Sequence, residues 1–215
     1  LVVEDDEVNR MVVERFLDAL GQHPVCVADI QGARHALGEQ AVDIALIDMN
    51  LPDGDGREML ARMRALAPHA DTPAVLMSAH IPAHQVDGLL AAGFGAFLSK
   101  PFARERLGAV LAGLLAGAAP QADAARASAP AAEAVHSSAW VDRDFLRAEE
   151  AALGRAVVDD IVEVFRTQGQ TLVAALSAGA EAGDAEQCAR LAHKLRGAAF
   201  NLGLERLGNC AASLE

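Results

Sequence analysis

The sequence predicts two domains of different class: an α/β, doubly wound domain with a five-stranded parallel sheet, followed by an all-α antiparallel helical bundle. Three observations carry this expectation. Short apolar runs alternate with amphipathic helical stretches over residues 1–116; a stretch poor in bulky side chains fills 117–138; and from 139 to 215 every apolar pattern has helical spacing. Strand and helix signals in alternation imply parallel strands joined by helical crossovers, with both sheet faces covered.

Taken in order, Leu1–Val3, Pro24–Val27, Asp43–Ile47, Pro73–Met77 and Ala96–Leu98 read as strands. The stretches 8–20, 30–40, 56–66, 83–91 and 103–115 read as the helices between them. The central strands are apolar at successive positions, as burial on both faces requires. No bulky apolar residue stands between Leu115 and Val135, and Pro120 and Pro130 would interrupt any long helix, so 117–138 reads as a flexible Ala/Pro linker. As a random coil such a linker spans about 25 Å.

In the second domain, Asp142 or Ser138 would cap a first helix. Gly154 precedes a helix over 155–167, and Gly169 and the Gly179–Gly183 region bracket another. Asp184 would then cap 185–199, and Asn201–Gly203 would precede a last helix from Leu204. That last helix is expected to run beyond Glu215, and the first strand to have sequence upstream of Leu1.

A formal net charge of −12 argues against a general nucleic-acid surface and suits a cation-binding site. The three cysteines, Cys26, Cys188 and Cys210, are odd in number and far apart, which disfavours structural zinc and a disulfide framework. No uninterrupted apolar run reaches membrane-spanning length, so these residues are expected to be soluble.

In a doubly wound sheet, chemistry collects beyond the carboxyl ends of the strands. Glu4, Asp5 and Asp6 follow the first strand, Asp48 ends the third, Ser78 follows the fourth and Lys100 the fifth. Clustered carboxylates repel, and a hard cation such as Mg²⁺ relieves that repulsion. The backbone carbonyl of Asn50 would add an oxygen ligand. The Asp48 carboxylate would attack phosphorus, with Lys100 and the Ser78 hydroxyl stabilising the phosphoryl oxygens. His80, in the loop beside this edge, reads as a solvated or recognition residue.

In the bundle, Cys188, Leu191, Ala192, Leu195, Ala198, Ala199 and Leu202 recur at threes and fours and define a buried stripe. His193 lies about 200° around the helix from Leu195 and is therefore expected to point to solvent. Arg190, Lys194 and Arg196 surround it with positive charge, and Gly197 leaves its flank open one turn on.

These motifs resemble two known families. The stretch Leu1-Val-Val-Glu-Asp-Asp-Glu, the run Ala45-Leu-Ile-Asp-Met-Asn-Leu-Pro-Asp-Gly-Asp-Gly, Met77-Ser-Ala-His and Ser99-Lys-Pro-Phe are similar to the receiver domain of two-component signalling, a flavodoxin-like fold. The resemblance implies Asp48 as phosphoacceptor, Asp5 and Asp6 as the metal-binding acidic pair, Ser78 as switch hydroxyl, Lys100 as the essential lysine and Phe97 as the aromatic switch. It also implies a cis bond before Pro101. Glu7-Val-Asn-Arg resembles receivers fused to hybrid histidine kinases.

Ala192-His-Lys-Leu-Arg-Gly-Ala-Ala-Phe-Asn-Leu-Gly resembles the active helix of histidine phosphotransfer (HPt) domains, with His193 phosphorylated and no metal site of its own. Phe200 stands where a smaller residue is common. Together these imply the carboxy-terminal part of a hybrid sensor kinase in a phosphorelay. An upstream kinase core and a downstream response regulator receiver would be its partners, and Mg²⁺ its cofactor. The segment itself would be cytoplasmic, with any inner-membrane anchor upstream. Two alternatives compete with this. A Mg²⁺-dependent phosphatase using Asp48 would want a carboxylate two residues on, where Asn50 stands. A non-phosphorylated interaction module would have no use for the set Asp5, Asp6, Asp48, Ser78, Lys100 and His193.

Overall fold

The computed structural model describes residues 1–78, 83–117 and 141–214. The expectations for His80 and Ser138, and for the linker beyond Gly117, lie outside the described residues. The chain divides into two compact units, Leu1–Ala134 and Val135–Glu215.

The first unit runs β1 (Val2–Val3), α1 (Glu7–Ala19), β2 (Cys26–Val27), α2 (Ile30–Glu39), β3 (Ala45–Asp48), β4 (Asn50–Leu51), β5 (Gly54–Asp55), α3 (Gly56–Arg64), β6 (Ala74–Ser78), α4 (Ala83–Ala91), β7 (Ala96–Ser99) and α5 (Arg104–Leu115). Five strands form one parallel sheet in the order β2-β1-β3-β6-β7. The order reverses direction after β1, so the switch point lies between β1 and β3. Every residue of β3 and β6 is buried, which explains their unbroken apolar runs. On one side of the sheet Ile47, Leu76 and Phe97 pack with Met59, Leu60 and Met63 of α3 and Leu89 of α4.

Aspartates start three of these helices. Asp6 accepts from the Asn9 N–H, Asp29 from Gly32 and Asp55 from Glu58, each satisfying an amide that has no partner within its helix. Helix α2 has a second clasp. Asp53, in the turn between β4 and β5, accepts from the Ile30 N–H at 2.9 Å and the Gln31 N–H at 3.1 Å. The β4–β5 hairpin, with Asn50 opposite Asp55, was not expected from sequence.

The second unit comprises α6 (Arg143–Leu153), α7 (Arg155–Ala182), α8 (Ala185–Phe200) and α9 (Glu205–Ala212). Asp142 caps α6, accepting from Asp144 and Phe145, and Asp184 caps α8. One expectation is corrected: Gly169 does not divide two helices, because α7 runs through it for 28 residues. A mid-helix glycine costs only about 1 kcal/mol, less than the packing on either side of it returns. The core joins Leu172 of α7, Leu195 of α8 and Ala211 of α9, flanked by Phe165, Leu176, Leu191 and Leu207. Among the expected stripe, Ala192, Leu195, Ala198, Ala199 and Leu202 are buried, while Cys188 and Leu191 are half-buried.

Candidate functional site

The carboxyl ends of β1, β3, β6 and β7 bring the predicted polar residues to one edge of the sheet. The parallel register sets Asp48 beside Met77 and Ser78 beside Ser99. The Lys100 N–H donates to the Ser78 carbonyl at 2.8 Å, so the backbone itself fixes the lysine one residue past its strand. The Lys100–Pro101 peptide is cis.

From there the Lys100 ammonium reaches Glu4 Oε2 at 2.5 Å and Asp48 Oδ1 at 3.0 Å. Asp48 Oδ1 also accepts from the Met49 N–H at 2.8 Å. Glu4, Asp48 and Ser78 are all buried. Burial pushes the Glu4 carboxyl up to about 7 against the opposing pull of Lys100, and pushes Asp48 upward for the same reason. Burial alone would lower Lys100, but Glu4 and Asp48 outweigh it and the lysine is held above its ordinary value. Lys100 therefore stays an ammonium, and its pull on Glu4 and Asp48 opposes the effect of their burial.

The acidic cluster has a different membership from the one expected. Glu4, Asp5 and Asp48 offer oxygens that all lie within 4.8 Å of one another. Asp6, expected as a ligand beside Asp5, instead turns its carboxylate to the Asn9 N–H at 2.9 Å as the cap of α1. The reason is register: β1 ends at Val3 and α1 starts at Glu7, which leaves Glu4 and Asp5 at the strand end and gives Asp6 to the helix. Three carboxylate oxygens this close are a donor set fit for a hard divalent cation. Asn50 lies at the exposed start of β4, two residues past Asp48. Phe97 is fully buried within β7, paired with Leu76.

Two contributors were missed from sequence. Asn9 Nδ2 donates to Glu4 Oε1 at 3.1 Å, and Arg10 Nη1 donates to the Glu4 carbonyl at 2.8 Å. Both belong to Glu7-Val-Asn-Arg, where a buried asparagine inside an apolar helix face was the available signal.

In the second unit, His193 is half-buried on α8, with Arg196 Nη2 3.5 Å from its Nδ1. Arg190 is exposed and paired with Glu186 at 2.6 Å. Lys194, Arg196 and Gly197 are half-buried around the ring.

A doubly wound domain with a buried aspartate, lysine and acidic cluster, followed by a helical unit that carries His193 on α8, defines a protein of phosphorelay signalling. The response regulator receiver domain model matches residues 1–112, and the Hpt domain model matches 160–215. The chain belongs to the response regulator receiver family and carries an Hpt domain behind its receiver, as hybrid sensor kinases do. It is 31% identical over 222 residues to the sensory/regulatory protein RpfC of Xanthomonas campestris pv. campestris, covering 100% of this chain and 30% of that protein. It is 28% identical over 218 residues to the sensor histidine kinase AruS of Pseudomonas aeruginosa, covering 100% of this chain and 20% of that protein. The chain thus spans less than a third of these relatives. A sensor protein from Polaromonas sp. JS666 shares the receiver fold at a TM-score of 0.51 and 20% identity, over 54% of this chain and 94% of that one. Among the described residues, no helix is long and apolar enough to cross a membrane.

Proposed function

We propose that Asp48 accepts a phosphoryl group from the phosphohistidine of a kinase core, and that His193 takes it from Asp48 and passes it to a separate response regulator receiver. In the first step a carboxylate oxygen of Asp48 forms a bond to phosphorus as the phosphorus–nitrogen bond of the donor breaks. In the second, a ring nitrogen of His193 attacks and the acyl phosphate bond breaks, restoring the carboxylate. Lys100 holds the Asp48 carboxylate in place and offers positive charge to the transferring oxygens, with the Ser78 hydroxyl as a further donor. Glu4, Asp5, Asp48 and the Asn50 carbonyl would hold Mg²⁺, which when bound neutralises charge on the phosphoryl oxygens. Phe97 would serve as the aromatic switch, and Arg190, Lys194, Arg196 and Gly197 as the surface on which a receiver docks. The domain limits that fit this reading are 1–116 and 139–215, joined by 117–138.

The observation that carries the reading is the Lys100 ammonium seated between Glu4 and Asp48, beside Asp5. The lysine gives the Asp48 nucleophile a countercharge, and Glu4, Asp5 and Asp48 offer a cation oxygens within 4.8 Å of one another. The test is labelling with a small phosphodonor and Mg²⁺, separating acid-labile from base-labile phosphate. The His193→Gln chain should keep the Asp48 label and lose the histidine label, and Asp48→Asn should lose both. Histidine labelling that survives Asp48→Asn would sink the internal order of transfer.

A further inference from the structure

Glu4 differs from its neighbours in the acidic cluster by one methylene. A longer carboxylate has one more rotor to fix before it can serve as a ligand, and fixing it costs conformational entropy. Both of its oxygens are anchored. Lys100 Nζ engages Oε2 at 2.5 Å, and Asn9 Nδ2 donates to Oε1 at 3.1 Å from the first turns of α1. A carboxylate oxygen accepts through two lone pairs, so one anchor on each leaves each oxygen able to meet a cation.

Asn9 is itself held. It is 5% exposed, and its N–H donates to Asp6 at 2.9 Å, so the helix cap and the side-chain contact fix the same residue. Arg10 secures the backbone beneath, donating to the carbonyls of Glu4 at 2.8 Å and Asp5 at 3.4 Å. An amide suits this place because it donates without adding charge. A lysine there would compete with the cation, and a carboxylate would add to the repulsion.

We propose that Asn9 is a positioning residue for the cation site: its amide locks the Glu4 carboxylate toward Asp5 and Asp48, and so sets the affinity for Mg²⁺ without touching the metal. This rests on the reading of Glu4, Asp5 and Asp48 as the Mg²⁺ site. Residues that orient metal ligands typically govern affinity by about 10–100-fold.

The test is a double-mutant cycle in the full chain, with Mg²⁺ titrated calorimetrically into chains shown to be folded by their melting in EDTA. Asn9→Ala should weaken Mg²⁺ binding about tenfold when residue 4 is Glu. In a Glu4→Asp background, where the shorter carboxylate withdraws from the amide, the same change should matter less than about twofold. The Mg²⁺ concentration for half-maximal Asp48 labelling should rise in parallel. Should Asn9→Ala fail to fold, Asn9→Ser keeps the helix-cap amide and removes the reach to Glu4, with the same expectations. Equal losses in both backgrounds, or no loss in either, would overturn the positioning role. A parent chain that binds no Mg²⁺ would overturn the reading of the site instead.

Discussion

Lys100 and Glu4, 96 residues apart in sequence, meet at 2.5 Å in the buried end of the sheet. The contact closes the pocket from opposite ends of the domain: Glu4 leaves β1, while Lys100 leaves β7 at the far edge. Asp48, in β3, completes the bridge at 3.0 Å.

Removing that cation should be costly in a specific way. Lys100→Ala leaves two buried carboxylates facing each other without a countercharge, and such a break costs about 3 kcal/mol. Urea unfolding in EDTA should show this loss, and Mg²⁺ should restore part of it by binding only the folded form. Equal stability of the parent and variant in EDTA would contradict the bridge. Labelling of Asp48 should fall in the variant at any Mg²⁺ concentration.

Asp6 should respond to pH as a cap, not as a ligand. Burial pushes its carboxyl up to about 6, although the Asn9 N–H pulls the other way. A carboxyl raised above its unfolded value stabilises the fold below the unfolded value, near 3.8, and that contribution is lost as pH rises through about 6. Asp6→Asn keeps an oxygen for the Asn9 N–H and cannot ionise. Its advantage should be absent near pH 4 and reach on the order of 2 kcal/mol at pH 7 in EDTA. Its Mg²⁺ affinity should stay within about twofold of the parent, whereas Asp5→Asn should lose affinity by a factor of ten or more. A large loss of Mg²⁺ binding in Asp6→Asn would reinstate Asp6 as a ligand.

Helix α3 approaches the strand end of Asp48 more closely than a side chain permits. A Cβ on Gly56 would lie 2.7 Å from the Asp48 carbonyl oxygen and 3.1 Å from Leu76 Cδ1. The first of these is backbone and cannot swing aside. Gly56→Ala should therefore destabilise the receiver by about 2 kcal/mol and slow labelling of Asp48, read by denaturation and by phosphodonor kinetics. A neutral effect on both would show that α3 can move away freely.

In the second unit the bulk of Phe200 has a matching vacancy. A Cβ on Gly208 of α9 would sit 2.7 Å from Cε1 of the Phe200 ring, so the ring lies over bare helix backbone. Gly208→Ala should cost about 2 kcal/mol. In a Phe200→Ala background the clash is gone, and the same change should become stabilising by about 1 kcal/mol through helix propensity. Thermal melts of the four chains read this directly, and additive effects would refute the packing.

Much of this was legible beforehand. Short apolar runs placed the strands of the sheet, and strand ends located Asp48, Ser78 and Lys100, because a parallel sheet forces its polar termini onto one edge. What escaped were decisions taken one residue at a time. Three consecutive acids, Glu4, Asp5 and Asp6, look alike in sequence, and only the handover from β1 to α1 separates ligand from cap. The β4–β5 hairpin was invisible because Leu51 is the one apolar residue in its two strands, so no apolar run marks them. Gly169 misled because glycine signals a break only where packing does not hold the helix together. Phe200 was noticed as unusual, but Gly208, which makes room for it, lies on another helix and has no sequence mark tying it to the ring.

The Asp53 clasp gives this receiver a gauge built into its backbone. Two amide protons at the start of α2, on Ile30 and Gln31, are held by a carboxylate five residues past Asp48. A loosening of that hairpin would release these two protons from their carboxylate. Their hydrogen-exchange rates report on the loop beside the aspartate from a helix that takes no part in its chemistry. Phosphorylation, cation binding or a substitution in the pocket can thus be followed at two backbone positions.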